Sequence, residues 1–266
     1  MTTLSPMQRG YADGPIGQVH YVEVGSGPVA LLLHQTASSS AMYGRVMPLI
    51  SERYRTVAID TPGFGQSDPP SQPVELAQCT QSIVAVLDAL GIERAHAVGF
   101  HTGASLALDL ASHYPDRTAS IVLAGLLACE HDDERERWRS EIVKPWQPDG
   151  RGEFVADQVA FLSLYLPEED GEVFLLELLA RLQAGPNYWW TYNAVIDYPA
   201  YEHLRRITTP TLVLNPSEDP LYEETRRAHA VLRGGSYAEV PGGADTVTRY
   251  PTEFAAAVLD FLDGLS

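Results

Sequence analysis

The sequence is poor in cysteine and in positive charge. Its 266 residues include only Cys79 and Cys129, which are too few for a disulfide framework and form no Cys-x-x-Cys pair. Lys and Arg number 18 against 35 Asp and Glu, so the formal net charge is -17. Binding to nucleic acid or to an anionic membrane needs a basic face, so the composition argues against both partners.

Targeting and membrane signals are also missing. The first residues, MTTLSPMQRGYADGPIG, show no basic stretch followed by an apolar one, and no later apolar run approaches the length of a membrane span. With 45% hydrophobic residues, the chain is typical of a globular protein. The sequence therefore predicts a cytoplasmic protein whose partner is a small-molecule substrate, and association into a homodimer stays open.

Short apolar runs alternate with segments of helical periodicity, a pattern typical of a mostly parallel sheet with helices on both faces. We expect an edge strand at GQVHYVEVG and further strands at PVALLLH, RTVAID, RAHAVGF, SIVLAG, TLVLN and SYAEV. An acidic stretch and aromatic helical segments interrupt the alternation. The sequence therefore predicts an α/β core from 1–126 and 204–266, with a helical cap inserted at 127–203.

Several segments carry a family resemblance in their order along the chain. They are LLLHQTASSSAMYGRVMPLI, AIDTPGFGQSDPP, AVGFHTGASLALDLASHYPDRTASIVLAG, ITTPTLVLNPSEDP and VPGGADTVTRYPTEFAAAVLDFL. Together they resemble the α/β-hydrolase superfamily, and especially its cap-bearing epoxide hydrolases, haloalkane dehalogenases and meta-cleavage-product hydrolases. The resemblance implies an eight-stranded, mostly parallel sheet with an inserted helical cap, whereas the reaction depends on the site.

The family's nucleophile elbow maps onto GFHTG, residues 99–103, with one departure. Gly99 and Gly103 supply the small residues that permit a tight turn between strand and helix. His101 stands where the family places its serine. The frame of the elbow is thus retained while the usual nucleophile is absent.

The other members of the family's triad are also altered. Asp219, in NPSEDPL, matches the acid that follows a late strand, but the last loop offers Asp245 where the family has its histidine. We interpret the two departures as an exchange, in which His101 reaches across to Asp219, Asp245 or both. A carboxylate would fix the tautomer of the imidazole and make His101 a general acid/base. Alternatively, both aspartates only cap helices or turns.

Around this catalytic set, the resemblance implies an oxyanion hole and a substrate wall. Backbone N–H groups of Thr36 and Thr102 are the candidate donors, and Gln35 replaces the family's glycine with an amide that could reach the substrate. The aromatic segment GPNYWWTYNAVIDYPAY lies in the predicted cap. Its side chains could bury an apolar ligand, and the candidates are Trp189, Trp190 and Tyr192.

Three functions are compatible with these residues. The first is hydrolysis of a small, largely apolar ester, lactone, amide or activated carbon–carbon bond, with His101 as general acid/base. The second is a lyase, isomerase or cyclase that uses the same histidine, and the third is ligand binding without turnover. No cofactor is predicted. A metal held by His101, Asp219 and Asp245 is disfavoured because no ligand pair has metal-site spacing.

Overall fold

The computed structural model describes residues 6–164, 166 and 170–265. Within them, eight strands form one sheet: β1 Gln8–Asp13, β2 Gln18–Val24, β3 Val29–Leu33, β4 Arg55–Ile59, β5 Ala95–Phe100, β6 Thr118–Ala124, β7 Thr211–Pro216 and β8 Ser236–Val240. The helices are α1 Met47–Ile50, α2 Leu76–Ala89, α3 Thr102–His113, α4 Asp132–Ile142, α5 Glu153–Leu162, α6 Gly171–Ala184, α7 Trp189–Asp197, α8 Ala200–Leu204, α9 Tyr222–Val231, α10 Thr246–Arg249 and α11 Pro251–Asp263.

The sheet has the strand order β1-β2-β4-β3-β5-β6-β7-β8. Strands β3 to β8 are parallel, and β2 runs antiparallel to both of its neighbours, β1 and β4. The predicted α/β fold with a mostly parallel sheet is confirmed. The prediction that GQVHYVEVG forms the edge is wrong, because β1 pairs along it. Since β1, QRGYAD, is mostly exposed and polar, no apolar pattern marks it in the sequence.

Each face of the sheet carries its own hydrophobic cluster, because side chains alternate along a strand. In the fully buried β3, Leu31 and Leu33 point to the side of α2 and α3, where they share a cluster with Ile83. Leu32 points to the other side and shares a cluster with Phe254 of α11. The sheet is therefore covered on both faces, which leaves its strand ends as the place for a site.

Among the described residues, five helices separate β6 from β7 in the stretch that the sequence assigns to a cap. Helix α4 packs on α7, and α5 packs on α6, whereas α8 packs on α3 and α9 beside the sheet. We call α4 to α7 the cap helices. Across the described ranges, no helix is both long and apolar enough to cross a membrane.

Candidate active site

A cavity of about 170 Å³ lies between the cap helices and the carboxyl ends of the parallel strands. The loops after five strands reach it, through Gln35 after β3, His101 after β5, Leu127 after β6, Leu221 after β7 and Ala244 after β8. Ligands of open α/β sheets bind at this edge. The cap helices contribute mainly apolar side chains together with charged ones: Trp138, Glu141, Ile142, Phe161, Leu162, Glu177, Arg181, Tyr192 and Val195.

His101 is the single residue between β5 and α3, and its backbone is strained. Its φ of 49° and ψ of -110° make it the one non-glycine with positive φ among the described residues. The flanking glycines are sterically required, because a Cβ on Gly99 would overlap the Gly103 backbone and one on Gly103 would overlap the Leu33 carbonyl. The tight elbow predicted from GFHTG is therefore present.

The imidazole of His101 is held on three sides. It stacks on the Phe100 ring, with 4.4 Å between ring centroids and 15° between planes. Its Nε2 lies 2.7 Å from Oδ2 of Asp219. A Cβ on Gly125 would overlap the imidazole, so the absence of a side chain there leaves room for the histidine. These contacts fix the ring at the cavity wall.

Asp219 is oriented by the backbone that follows it. Its side chain is completely buried, and its Oδ1 accepts a hydrogen bond of 2.8 Å from the Leu221 N–H. The His101 side chain keeps 18% of its surface exposed and lines the cavity. A neutral imidazole that donates Nε2–H to this carboxylate carries its lone pair on Nδ1. The pair can therefore accept a proton at Nδ1 while Asp219 stabilises the resulting cation.

Asp245 has other partners. Its Oδ1 accepts a hydrogen bond from Gly243 N–H, and its Oδ2 lies 3.2 Å from a guanidinium nitrogen of Arg249. Its carbonyl accepts hydrogen bonds from the N–H and hydroxyl of Thr248 at the start of α10. The hydrogen bond from His101 thus goes to Asp219, and Asp245 organises the last loop.

Thr36 and Thr102 are brought together at the same end of the cavity. The Thr102 hydroxyl donates to the Thr36 hydroxyl at 3.0 Å, and both residues line the cavity. Thr102 begins α3, where backbone N–H groups have no partner within the helix. The Tyr192 hydroxyl of α7 donates to the Thr36 carbonyl at 2.6 Å, which fastens the cap helices over this loop.

Comparison with known proteins places this geometry in a family. Residues 28–200, more than half of the chain, match the family model described as alpha/beta hydrolase fold. The chain belongs to the α/β-hydrolase fold family. In this fold a strained strand-to-helix turn presents the catalytic nucleophile, and His101 occupies that turn.

Individual members of the family match over nearly the whole chain. A putative carbamate hydrolase, RutD, of Caulobacter sp. (strain K31) is 29% identical over 273 residues, which cover 97% of this chain and 99% of that protein. The crystal structure of a hydrolase from Pseudomonas aeruginosa PA01 superposes with a TM-score of 0.84 at 25% identity, covering 98% of both chains. The enol-lactonase from Burkholderia xenovorans LB400 has the same TM-score at 21% identity, covers 96% of this chain and 100% of its own, and shows the fold alone. The Caulobacter and Pseudomonas aeruginosa proteins are named as hydrolases, which indicates that this chain is an enzyme.

The two tryptophans predicted for the substrate wall lie away from this α/β-hydrolase cavity. Trp189 packs against a small cluster of Ala37, Phe64 and Tyr188. Trp190 lines a separate cavity beside the loop 62–70. Tyr192 is on the lining of the main cavity, as is Gln35. The composition of the segment identifies its aromatic residues, but it does not predict which side of α7 faces the carboxyl ends of the strands.

Sequence reasoning missed a buried acid in this family member, Glu177 of α6. Its side chain lines the cavity, and its Oε1 has no hydrogen-bond partner among the described residues. Burial first, and then the charge of Asp245, raise its pKa to about 7, although Gln35 and Arg181 act in the opposite direction. The feature of the sequence that could have revealed Glu177 is its position as a single acid within the mainly apolar run VFLLELLARL.

The neighbouring residues His34 and Ser105 are occupied or enclosed. His34 donates Nδ1–H to the Gln35 carbonyl at 2.7 Å and accepts at Nε2 from Thr61 N–H at 3.0 Å, and burial lowers its pKa. It therefore holds the loop in its neutral form. Ser105 is completely buried in α3. Neither side chain is placed to join His101 in the cavity.

The candidate metal set is not assembled here. Asp219 is paired with His101, whereas Asp245 is paired with Arg249. In the described part of the chain, the group whose potential ligand atoms lie within 4.8 Å of one another is Asp109, His113 and His203. Asp109 and His113 are in the last turns of α3, whereas His101 precedes its first, so this group is separate from the cavity.

Proposed function

We propose that this protein hydrolyses a small, largely apolar ester or lactone, with His101 as general acid/base and Asp219 as the group that orients it. The observation that carries the proposal is the 2.7 Å contact between Nε2 of His101 and Oδ2 of Asp219 at the wall of a mainly apolar cavity. The names of the relatives, a carbamate hydrolase among them, favour hydrolysis over other uses of the fold. Amides and activated carbon–carbon bonds belong to the same class of acyl substrate.

The proposed reaction begins with water rather than with a serine. Nδ1 of His101 takes a proton from a water molecule, whose oxygen adds to the carbonyl carbon and forms a tetrahedral intermediate. The carbonyl oxygen becomes negatively charged in this step. When the intermediate collapses, the bond to the leaving oxygen breaks, and the imidazolium returns its proton to that oxygen. The products are a carboxylic acid and an alcohol, and the imidazole is neutral again.

The developing oxyanion needs donors, and the first turn of α3 supplies them. The N–H of Thr102 is free of intrahelical bonding, and the helix N-terminus favours negative charge. The N–H of Thr36 is the second proposed donor, because the hydrogen bond between the two threonine hydroxyls keeps the loops adjacent. Removing one such donor costs on the order of 10²-fold to 10³-fold in rate.

The first experiment measures turnover of small activated esters and lactones by wild type, His101→Ala and His101→Ser. We expect the alanine variant to lose about 10²-fold to 10⁴-fold in kcat, the usual range for a general acid/base. The serine variant should be equally impaired, because the last loop holds Asp245 and supplies no histidine to activate a serine. His113→Ala, at the other end of α3, is the matched control and should retain wild-type turnover. A fully active His101→Ala enzyme would remove the proposal.

Covalent labelling provides an independent check. Serine-directed phosphonates should leave the protein unmodified, because the elbow carries no serine and Ser105 is completely buried. Mass spectrometry after incubation detects an adduct and its position. An adduct at Ser105 or Ser38 would relocate the nucleophile and replace the mechanism given above.

The same histidine could move a proton on a substrate without hydrolysis. The observation that favours a lyase, isomerase or cyclase is that proton transfer never requires the serine that His101 replaces. Wild-type protein that leaves every ester and lactone intact, yet binds apolar carbonyl compounds in the cavity, would select this second function.

A further inference from the structure

A second polar position lies in the cavity on the wall formed by α6. Glu177 has only 6% of its surface exposed, and its Oε1 has no hydrogen-bond partner among the described residues. The Gln35 side chain, from the loop after β3, hydrogen-bonds the same carboxyl. A buried polar group without a partner is destabilising, so a ligand that hydrogen-bonds to it gains a favourable contact. The terminal torsion of a glutamate is broad, which lets the carboxyl turn toward a ligand without strain.

The charges around Glu177 favour its neutral form. Asp245 approaches it from the last loop, and Arg181 lies one turn further along α6. Two other titratable groups, Glu141 of α4 and His101 of the elbow, line the same cavity. Burial and Asp245 together outweigh Arg181 and raise the pKa of Glu177 to about 7. A neutral carboxylic acid both donates and accepts hydrogen bonds, whereas a carboxylate only accepts them.

Arg181 is already committed to the protein. Its Nε donates to Gln158 Oε1 at 2.6 Å, and a terminal nitrogen donates to the Tyr188 hydroxyl at 2.9 Å. The guanidinium also lies over the rings of Phe161 and Tyr188, at 4.1 and 4.6 Å from their centroids. Arg181 thus braces the cap helices through these contacts, whereas Oε1 of Glu177 has no partner among the described residues.

The rest of the wall restricts what that ligand can be. The surrounding side chains are mainly apolar: Leu127, Ile142, Phe161, Leu162, Val195 and Leu221. A ligand carboxylate would meet the acids Glu177, Glu141 and Asp245, and any charged group would lose its hydration against a mainly apolar wall. A neutral ligand with an apolar body and one polar end fits both conditions.

We propose that Glu177 and Gln35 form a subsite for a neutral hydroxyl or carbonyl oxygen of the substrate, separate from the carbonyl carbon that the water activated by His101 attacks. This inference rests on the proposed function for the position of the attacked bond. It narrows the substrate class from any small apolar ester or lactone to one with a second, uncharged oxygen function. Glu177 donates to that oxygen, while the Gln35 amide orients the carboxyl.

The experiment compares paired substrates across variants. The pairs are p-nitrophenyl alkanoates of increasing chain length and their ω-hydroxy derivatives, and the measured quantity is the ratio of kcat/KM within each pair. We expect wild type to favour the hydroxylated member at one chain length, and Glu177→Leu to lose roughly 10-fold of that preference. Glu177→Gln should keep most of it, because an amide also donates and accepts. Glu172→Gln, on the exposed side of α6, is the matched control.

Ligand binding separates failure of the subsite from failure of the proposed function. Methyl ketones with the same chains cannot be hydrolysed, and calorimetry gives their Kd for wild type and Glu177→Leu. One outcome is that the esters are not hydrolysed, but wild type binds the hydroxylated ketones more tightly than the plain ones and Glu177→Leu loses this difference. That result would support the subsite and reject hydrolysis. The other outcome is that the esters are hydrolysed, but the ratio of kcat/KM within each pair is the same in wild type and Glu177→Leu at every chain length. That result would overturn the subsite and leave the proposed hydrolysis standing. If Glu177→Leu does not fold, Gln35→Leu provides the second test with the same expected loss of preference.

Discussion

Two of the histidine–aspartate pairs in the described part of the chain are nearly equal in length and differ in what surrounds them. His20 Nδ1 lies 2.8 Å from Asp60 Oδ2, and His101 Nε2 lies 2.7 Å from Asp219 Oδ2. In the first pair both side chains are buried, at 7% and 2% exposed. In the second pair the aspartate is fully buried, whereas the histidine keeps 18% exposed at the cavity. Distance alone therefore does not distinguish a structural pair from a candidate catalytic one.

The hydrogen bonds of Asp60 explain the role of the first pair. Its Oδ1 accepts from Ser40 N–H at 2.6 Å, and its Oδ2 accepts from Gln66 N–H at 2.9 Å as well as from His20. Burial alone would raise the pKa of Asp60, but these hydrogen bonds, first that of His20, lower it to about 2. A Cβ on Gly65 would overlap the carboxylate, so this loop is built around it. The pair fixes the backbone around Ser40 and Gln66, and neither of its residues is on the lining of the cavity.

The largest expected difference between the pairs is in catalysis, through Asp219→Asn. An amide donates as readily as it accepts, so it can hold the wrong tautomer of His101 and remove the lone pair from Nδ1. We expect kcat/KM for ester hydrolysis to fall on the order of 10³-fold, with the thermal midpoint of unfolding little changed. Retention of wild-type kcat/KM and its pH profile would contradict the role given to Asp219.

The second effect is on stability, through Asp60→Asn. Breaking a buried, hydrogen-bonded pair costs about 3 kcal/mol in the free energy of unfolding, which denaturant titration measures. Because the folded pKa of Asp60 is depressed to about 2, its contribution is present above the unfolded value and disappears as pH falls toward about 2. The folded variant should keep most of its kcat. A variant that loses turnover without losing stability would make the two pairs functionally alike.

A third carboxyl, that of Glu177, should affect the free energy of unfolding with a pH dependence opposite to that of Asp60. Its folded pKa is raised, so the native state binds more protons than the unfolded state between the ordinary value of 4.5 and about 7, and stability falls as pH rises through that window. Glu177→Gln carries no charge at any pH. Its advantage over wild type should grow through the window to about 3 kcal/mol and then level off. Denaturant titrations across pH measure this, and a constant difference would show that Glu177 is ionised throughout.

The fold was largely predictable from the sequence, because parallel strands that are buried on both faces consist of continuous apolar runs. The elbow was predictable too, since Gly99 and Gly103 leave space that no other residue could give at those contacts. The missed edge strand, β1, contributes backbone pairing rather than a buried face, and backbone pairing leaves little trace in side-chain pattern.

The site was harder to predict than the fold. The sequence offered Asp219 and Asp245 as alternative partners for His101, and the structure separates them, because His101 lies 2.7 Å from Asp219 whereas Asp245 is paired with Arg249. Glu177 carries no motif, because its environment is assembled from α6 and from the loops after β3 and β8. The environment of a carboxyl depends on distant segments that a linear pattern does not connect.

The smallest expected effect, Asp245→Asn, examines whether a third aspartate belongs with either pair. Its ion pair with Arg249 is partly exposed and so contributes about 1 kcal/mol or less to stability. Because His101 bonds to Asp219, kcat/KM should change by less than about threefold, well below the range for losing a general acid/base. The substitution also removes a charge that raises the pKa of Glu177, so the pH window of Glu177 should move downward. If Asp245→Asn instead lowers kcat/KM as much as Asp219→Asn, the working enzyme brings Asp245 to His101, and the catalytic set consists of one histidine between two carboxylates.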